Sequence, residues 1–331
     1  GGRAEAPAAT SGPAVRRRHV PTLQRGLGAH DAPAVGALAA ALRDERVEIA
    51  HFHSTKAGLL GGTAAAAAGV PAVFTAHGLA AIDSALQASG GELVTALGQK
   101  HAAPFVEDGV TQLVAAGAER IIGLVLAPHY SAASVGQYQQ RAAAAAAEHS
   151  IEFIGVDSWH LLDDLIRFQA AAVRATLADL PERTKVVFTA HSLPERVLVD
   201  DPYADQLRQS AEATADAAGL AQWAGWGLGW QSAGRTPEPW RGPDVLAVIR
   251  DLADTGRANG ILVVPQGFTS DHLEVLYDLD VEAAAVAADV GLAFARTPVV
   301  NDDPTVMGGL AALVVRTAAD AVPPTTDRAG Q

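Results

Sequence analysis

Short apolar runs alternate along the chain with longer segments in which apolar residues recur at helical spacing. This alternation predicts an α/β fold, with parallel strands joined by right-handed helical crossovers. The strands are predicted at 47–52, 71–75, 120–126, 151–156, 185–189, 223–230, 261–264 and 292–296. The helices are predicted at 33–44, 56–69, 104–116, 161–177, 203–217 and 243–255. The alanine run at 142–147 is predicted to be a helix interior, because alanine has the highest helix propensity.

Chain length and local breaks in the pattern predict the domain organisation. The 331 residues are enough for about two domains with separate cores. The pattern is interrupted at Leu180-Pro181-Glu182-Arg183, which predicts a boundary between two α/β lobes near 172–184. Residues 1–36 are rich in proline, glycine and alanine and are predicted to be a disordered tail.

Composition excludes several classes of function. The formal net charge is −13, with the one basic run inside the predicted tail, so a nucleic-acid partner is not expected. The chain has no cysteine, which excludes disulfides, thiolate catalysis and cysteine-ligated metal clusters. No apolar run is long enough to span a bilayer, so we expect no stable membrane insertion. We therefore predict a cytoplasmic location and a monomer.

The start of the chain carries one further expectation. Residue 1 is glycine, and the single methionine is Met307. We interpret the chain as a fragment, a processed product or a conceptual reading of a gene.

His191 is the first candidate for chemistry. It follows the apolar run at 186–188 and precedes Ser192 and Pro194. Proline disfavours helical geometry in the residue before it, so the chain is predicted to turn at this strand end. Side chains just past the strand ends of an open α/β sheet face the ligand crevice. A lone histidine there is more often structural than a ligand, and this motif alone leaves both interpretations open.

Three carboxylates form the second candidate. Glu274, Asp278 and Glu282 are spaced by four residues and share one face of a predicted helix. A solvated acidic face is the simplest interpretation, and Glu274 also fits a capping box that begins at Asp271. Apolar neighbours such as Phe268 favour instead a ladder of carboxylates that binds divalent cations. An imidazole and a carboxylate meeting in one crevice could remove protons, hold a metal, or do both.

Aromatic and hydroxyl side chains near other strand ends form a third group. Trp230 and Trp240 flank a proline-bearing loop and could form the apolar wall of a pocket for a flat ligand. They could equally be core packing and a rigid turn, which the spacing alone favours. Tyr130 and Ser131 follow another predicted strand, and Tyr138 comes next along the chain, so these side chains are predicted at the same kind of edge.

Several motifs resemble ferrochelatase sequences, in the same order and spacing. They are His191-Ser192-Leu193-Pro194-Glu195, Asp201-Pro202-Tyr203, Gly229-Trp230-Gln231-Ser232, Thr236-Pro237-Glu238-Pro239-Trp240 and Asp271-His272-Leu273-Glu274-Val275-Leu276-Tyr277-Asp278. The similarity extends from about residue 83 to about residue 319. Lys100-His101 with Pro104-Phe105, and 127–131, resemble the Gram-positive branch that uses coproporphyrin III.

The resemblance implies a fold and an activity. It implies two Rossmann-like lobes with parallel sheets and a cleft between them, with 83–172 plus 305–331 forming the first lobe and 173–304 the second. The implied reaction is insertion of Fe²⁺, a substrate, into coproporphyrin III to give coproheme. Some actinobacterial relatives carry an iron–sulfur cluster, which this chain cannot hold through cysteine ligands.

The resemblance also assigns roles to individual residues. His191 and Glu274 are implied to be catalytic and to bind the metal. Asp278 and Glu282 match the outer acidic positions of the metal path. Porphyrin contacts are expected from Tyr138, Tyr130, Ser131, Trp230 and Ser232.

The start of the chain departs from the ferrochelatase pattern. The strand leading into a glycine-rich loop and the Gly-Gly-x-Ser-Pro motif, which supply part of the first lobe, are missing. Residues 37–82 replace them, and 50–58 and 71–78 within this βαβ segment resemble the N-terminal lobe of a family-4 glycosyltransferase. The first chelatase lobe is therefore expected to be incomplete. The alternative function is an inactive chelatase-like protein that binds tetrapyrrole or metal.

Overall fold

The computed structural model describes residues 31–44, 50–52, 68, 72–74, 79–88, 93–101, 103–220, 225–234 and 236–320. The chain divides into two units, residues 1–74 and residues 75–331. The first unit contains helix α1 (Asp31–Asp44) and two short parallel strands, β1 (Ala50–Phe52) and β2 (Ala72–Phe74). Each of these three described elements overlaps a predicted one, at 33–44, 47–52 and 71–75. Helix α1 includes 31–36, which corrects the end of the predicted tail, and the predicted helix at 56–69 lies almost entirely outside the described residues.

The second unit alternates strands and helices throughout its described residues. Its helices are α2 (Leu79–Ala88), α3 (Val106–Ala115), α4 (Gln137–Glu148), α5 (Asp163–Leu177), α6 (Tyr203–Ala218), α7 (Val245–Asp254), α8 (Leu273–Val275), α9 (Ala284–Asp289) and α10 (Pro304–Asp320). Its strands are β3 (Arg120–Leu124), β4 (Glu152–Val156), β5 (Thr184–His191), β6 (Trp226–Gln231), β7 (Gly260–Val264) and β8 (Ala293–Arg296). Among the residues that the structure describes, π-helices occur at Ala132–Gly136 and Leu276–Ala283.

The strands of the second unit form two parallel sheets, as the alternation predicts. Strands β3 and β4 pair with each other, and the larger sheet has the order β6-β5-β7-β8. Strand β7 is buried along its whole length, which explains its uninterrupted apolar sequence, because helices cover both faces of such a sheet. The described strands of each sheet pair in parallel, so within each sheet their carboxyl ends lie at the same edge.

Alternate residues of β5 point into different cores of the larger sheet. Val187 packs with Ile249 of α7 and Leu279 on one face. Phe188 packs with Val173 of α5 on the other face. This period of two is the geometry of a strand buried on both sides. Local signals bound the covering helices close to the predicted limits. The Asp244 side chain caps the start of α7 by accepting from Leu246 N, and Gly219, with φ +74°, ends α6.

The smaller sheet belongs to a core that includes the last helix. Val306 and Leu310 of α10 pack with Ile82 of α2 and Leu165 of α5. The partly buried Ile122 of β3 packs against the same cluster. Helix α5 contributes Leu165 to this core and Val173 to the core of the larger sheet, so the predicted boundary at residue 172 falls inside a helix. The division into 83–172 plus 305–331 and 173–304 stays a prediction.

Polar contacts join the half with β3 and β4 to helix α6 of the half with the larger sheet. His129 Nε2 lies 2.8 Å from Ser210 Oγ, and His160 Nε2 lies 2.9 Å from Gln209 Oε1. Burial, with a smaller effect of His160, lowers the pKa of His129 to about 3, so His129 is neutral. Among the described residues, no helix has the length and apolarity required to cross a membrane.

Candidate active site

His191 is the last residue of β5, which extends two residues beyond the predicted strand end at residue 189. Its register partner is Gln231 of the neighbouring strand β6. Its Nδ1 lies 2.5 Å from the carbonyl oxygen of Ser192, which can only accept, so Nδ1 carries a proton and donates. The peptide that turns the chain away from the strand therefore fixes the tautomer. The other ring nitrogen, Nε2, is the one that faces Glu274.

Glu274 faces His191 from α8, with His191 Nε2 and Glu274 Oε1 3.3 Å apart. Both side chains are about one third exposed, 37% and 35%. Burial raises the pKa of Glu274, but hydrogen bonds from His191 and Ser232 and the positive charges of His191 and His272 together lower it to about 2. The carboxylate is therefore ionised at neutral pH.

The pair can exchange a proton for a metal ion. Because Ser192 accepts from Nδ1, a hydrogen bond to Glu274 requires a second proton, on Nε2. Removal of that proton leaves a nitrogen lone pair facing a carboxylate oxygen. The lone pairs of this nitrogen and this oxygen repel each other unless a proton or a cation lies between them. The arrangement thus suits both proton acceptance and metal binding.

Ser232 binds Asp278 and influences Glu274, the partner of His191. It follows β6 and has φ +61°, a left-handed conformation that is unfavourable for a residue with a side chain. Its hydroxyl donates to Asp278 Oδ2 over 2.5 Å, and the Ser232 side chain also contributes to the lowered pKa of Glu274. Strained backbone of this kind is concentrated at functional sites. Ser232 was predicted as a porphyrin contact, and in this structure its hydroxyl binds the Asp278 carboxylate.

The three carboxylates predicted to share one α-helical face lie in two different elements of the structure. Glu274 lies in α8, but Asp278 and Glu282 lie in the π-helix Leu276–Ala283, whose wider turn replaces the predicted α-helix. Asp278 is 4% exposed, whereas Glu282 is half-buried. In the described part of the chain, no three His, Cys, Asp or Glu side chains lie close enough to hold one ion. The roles of Asp278 and Glu282 in metal binding stay predictions.

Trp230 supports the site from the interior. It is buried at 4% exposure and its ring centroid lies 6.0 Å from that of Tyr203. The Tyr203 hydroxyl donates to the carbonyl oxygen of His191 over 3.2 Å. Burial, together with the charges of Asp201 and Glu274, raises the pKa of Tyr203 well above its ordinary value. Sequence reasoning did not assign Tyr203 a role, although Asp201-Pro202-Tyr203 was among the motifs.

The residues predicted at the edge of the smaller sheet differ in accessibility. Ser131 is fully buried, and its hydroxyl donates to Asp201 Oδ2 over 3.1 Å. Tyr130 is half-buried and its backbone N–H donates to Gln206 Oε1. Tyr138 is half-buried, with Lys100 Nζ 5.5 Å from its ring centroid.

These positions set different expectations for contact with a ligand. The half-buried Tyr138 retains accessible surface, so direct contact with a porphyrin stays a prediction that its position favours. The hydroxyl of Ser131 is engaged with Asp201, and the Trp230 ring lies in the core, so both fit supporting positions. The basic Lys100 beside Tyr138 was not assigned a role from the sequence.

Comparisons with known proteins decide the family. The family model described as Ferrochelatase matches residues 71–318. The chain belongs to the ferrochelatase family. The predicted membership is therefore confirmed. A second family model, Glycosyltransferase Family 4, matches residues 2–122, which include the segment that resembles this class.

Relatives within the ferrochelatase family align with most of the chain. The coproporphyrin III ferrochelatase of Geobacillus kaustophilus is 41% identical over 226 residues, 66% of this chain and 71% of the relative. That of Bacillus subtilis is 38% identical over 226 residues, 66% of this chain and 72% of the relative. The ferrochelatase of Deinococcus radiodurans is 38% identical over 254 residues, 75% of this chain and 80% of the relative.

A solved structure supports the chelatase-like fold of this family member. SirB from Bacillus subtilis with Fe³⁺ aligns with a TM-score of 0.51, covering 82% of this chain and 95% of SirB at 14% identity. At this identity the likeness concerns the fold alone. With the parallel sheets described above, it confirms the predicted fold class.

Proposed function

We propose that this chain inserts Fe²⁺ into coproporphyrin III and releases two protons to give coproheme. The observation that carries the proposal is the 3.3 Å approach of His191 Nε2 to Glu274 Oε1 at the carboxyl edge of the larger sheet. The coproporphyrin III ferrochelatases named above support the choice of porphyrin.

The geometry accounts for the proton transfers that metallation requires. A free porphyrin holds two pyrrole N–H protons, and Fe²⁺ replaces both. In the proposed mechanism the unprotonated Nε2 of His191 accepts a pyrrole proton while Ser192 holds the opposite N–H. The ionised Glu274 stabilises the resulting imidazolium and is a ligand for Fe²⁺ before its transfer. The second proton leaves by the same nitrogen once the first has passed to solvent.

The direct test is metal insertion by the purified chain. Coproporphyrin III and protoporphyrin IX are each mixed with the protein and Fe²⁺ without oxygen, and the porphyrin absorbance bands are followed. We expect turnover with coproporphyrin III and slower turnover with protoporphyrin IX. Absence of insertion with either porphyrin, despite binding, would refute the proposal.

A second candidate function has its own supporting observation. The start of the chain matches a glycosyltransferase model over residues 2–122, and the ferrochelatase match begins at residue 71. On this candidate the protein binds tetrapyrrole or metal without turnover. Saturable porphyrin binding with no insertion in the same assay is the result it requires. Glycosyl transfer is a third possibility and would require binding of a nucleotide sugar.

The proposed metal path predicts an effect on iron rather than on porphyrin. Asp278→Asn combined with Glu282→Gln is expected to raise the KM for Fe²⁺ about 10-fold and to leave the KM for porphyrin unchanged. Asp278→Asn alone should account for most of the effect, because Asp278 accepts from Ser232 beside Glu274. Steady-state insertion rates at varied Fe²⁺ and at varied porphyrin measure the two constants.

A matched control removes the same two residue types from exposed positions of the same half. Asp254 and Glu212 are exposed, so Asp254→Asn with Glu212→Gln should leave both constants at the wild-type values. A double variant at 278 and 282 with wild-type iron kinetics would exclude these carboxylates from the path. The monomeric state and the cytoplasmic location stay predictions.

A further inference from the structure

The segment that carries Glu274 adopts a conformation that local sequence does not favour. After α8, residues Leu276–Ala283 form a π-helix, in which each backbone hydrogen bond spans one residue more than in an α-helix. π-helical segments are rare and persist where tertiary contacts stabilise them. The contacts on both faces of this segment therefore decide where its side chains point.

The inner face of the π-helix is held at the candidate active site. Asp278 is buried and accepts from Ser232 Oγ over 2.5 Å. The same Ser232 side chain contributes to the lowered pKa of Glu274. The contact with Asp278 fixes one face of the π-helix relative to the end of β6.

Arg296 holds the outer face. It is the last residue of β8, and its Nε and Nη2 donate to the two carboxylate oxygens of Asp280 over 2.6 and 3.0 Å. Its Nη2 also lies 2.9 Å from Asp271 Oδ1. The Arg296 side chain is only 15% exposed. A paired fork of this kind fixes orientation as well as distance.

The two carboxylates that bind Arg296 lie on either side of Glu274. Asp271 is three residues before it, and Asp280 is six residues after it. Asn301 strengthens the first attachment, because its side chain accepts from Asp271 N and donates to Asp271 Oδ2, both over 2.9 Å. The Arg296 guanidinium therefore connects Asp271, at the start of the segment, with Asp280, in the middle of the π-helix.

We infer that Arg296 is a positioning residue for metal insertion, which holds the segment 271–283 in the π-helical register that places Glu274 against His191. Arg296 acts through Asp271 and Asp280 and touches neither metal nor porphyrin. The inference rests on the proposed function for its kinetic consequence. Its structural consequence, a locally loosened segment, stands independently of activity.

The test compares Arg296→Met, Arg296→Lys and Asp280→Asn with the wild type. In insertion assays Arg296→Met should lower kcat about 10-fold with the KM for porphyrin unchanged, because small displacements of a catalytic group are costly. Arg296→Lys keeps the charge but not the fork, so its kcat should be intermediate. Amide hydrogen exchange should become faster in 271–283 and stay unchanged in α5 and α6.

The control is Arg257→Met. Arg257 forms an exposed ion pair with Asp251 in the same half of the molecule, so its loss should leave kcat and exchange at wild-type values. Unchanged exchange in 271–283, or equally faster exchange throughout the molecule, overturns the positioning role. Local loosening with a wild-type kcat overturns it as well.

The test also covers a variant that does not fold and a wild type that shows no activity. Should Arg296→Met fail to fold, Asp280→Asn removes only the outer contact and carries the same expectations. A wild-type chain without insertion activity would refute the proposed function, and the exchange experiment would still decide whether Arg296 holds the segment.

Discussion

His191→Ala is expected to lower the rate of porphyrin metallation about 100-fold or more, while the fold stays intact. The side chain lies at the end of β5 and is 37% exposed, so its removal leaves no large cavity. It eliminates the nitrogen that faces Glu274 and with it the proposed proton acceptor. Insertion of Fe²⁺ into coproporphyrin III, followed by absorbance, measures the loss.

The control for this variant is another histidine. His149 follows α4 and is exposed, so His149→Ala should retain the wild-type rate. Porphyrin binding and the near-ultraviolet circular dichroism of His191→Ala should match those of the wild type. Retained turnover by a folded His191→Ala protein would remove this residue from the mechanism.

The strands and the position of His191 could be predicted because local patterns determine them. Uninterrupted apolar runs such as 260–264 correspond to strands buried on both faces. The strand before His191 has to end where Pro194 follows, and the structure ends β5 at His191. Parallel strands share one edge, so the meeting of strand-end side chains follows from the fold.

The π-helix could not be predicted in the same way. Glu274, Asp278 and Glu282 have the spacing of an α-helical face, and the wider turn depends on contacts with residues distant in sequence. Ser232 in its left-handed conformation and Arg296 at the end of β8 supply those contacts. Burial of the Trp230 ring is likewise decided by Tyr203 on another element.

The residues proposed for the chemistry lie outside the unusual start of the chain. His191, Ser232 and Glu274 all come from the half with the larger sheet, between residues 184 and 283. The part of the sequence that departs from the family pattern precedes residue 83. We therefore expect the departure to affect porphyrin affinity rather than the proton and metal chemistry. A high KM for porphyrin with a measurable kcat is the kinetic form of this expectation.

Glu274→Gln is expected to lower kcat about 100-fold and to leave porphyrin binding unchanged. Glutamine keeps the shape of the side chain but has no charge with which to stabilise the imidazolium or bind Fe²⁺. The same insertion assay measures kcat, and a porphyrin titration measures binding. An active Glu274→Gln enzyme would show that the carboxylate charge is not required.

The same variant should change how stability depends on pH. Hydrogen bonds and nearby positive charge outweigh burial and lower the pKa of Glu274 in the folded state to about 2, below its ordinary value of 4.5. A carboxyl with a lowered folded-state pKa stabilises the fold fully above the unfolded-state pKa, and this contribution is lost as the pH falls towards the folded-state value. The difference in unfolding free energy between wild type and Glu274→Gln should therefore shrink as the pH falls below 4.5.

Urea unfolding at a series of pH values measures this difference, and the other carboxylates cancel because both proteins share them. Glu182→Gln is the matched control, since Glu182 is exposed and its replacement should give a difference that does not vary with pH. A constant difference for Glu274→Gln down to pH 3 would mean that Glu274 is not held ionised by His191 and Ser232. The electrostatic coupling on which the proposed proton transfer depends would then be absent.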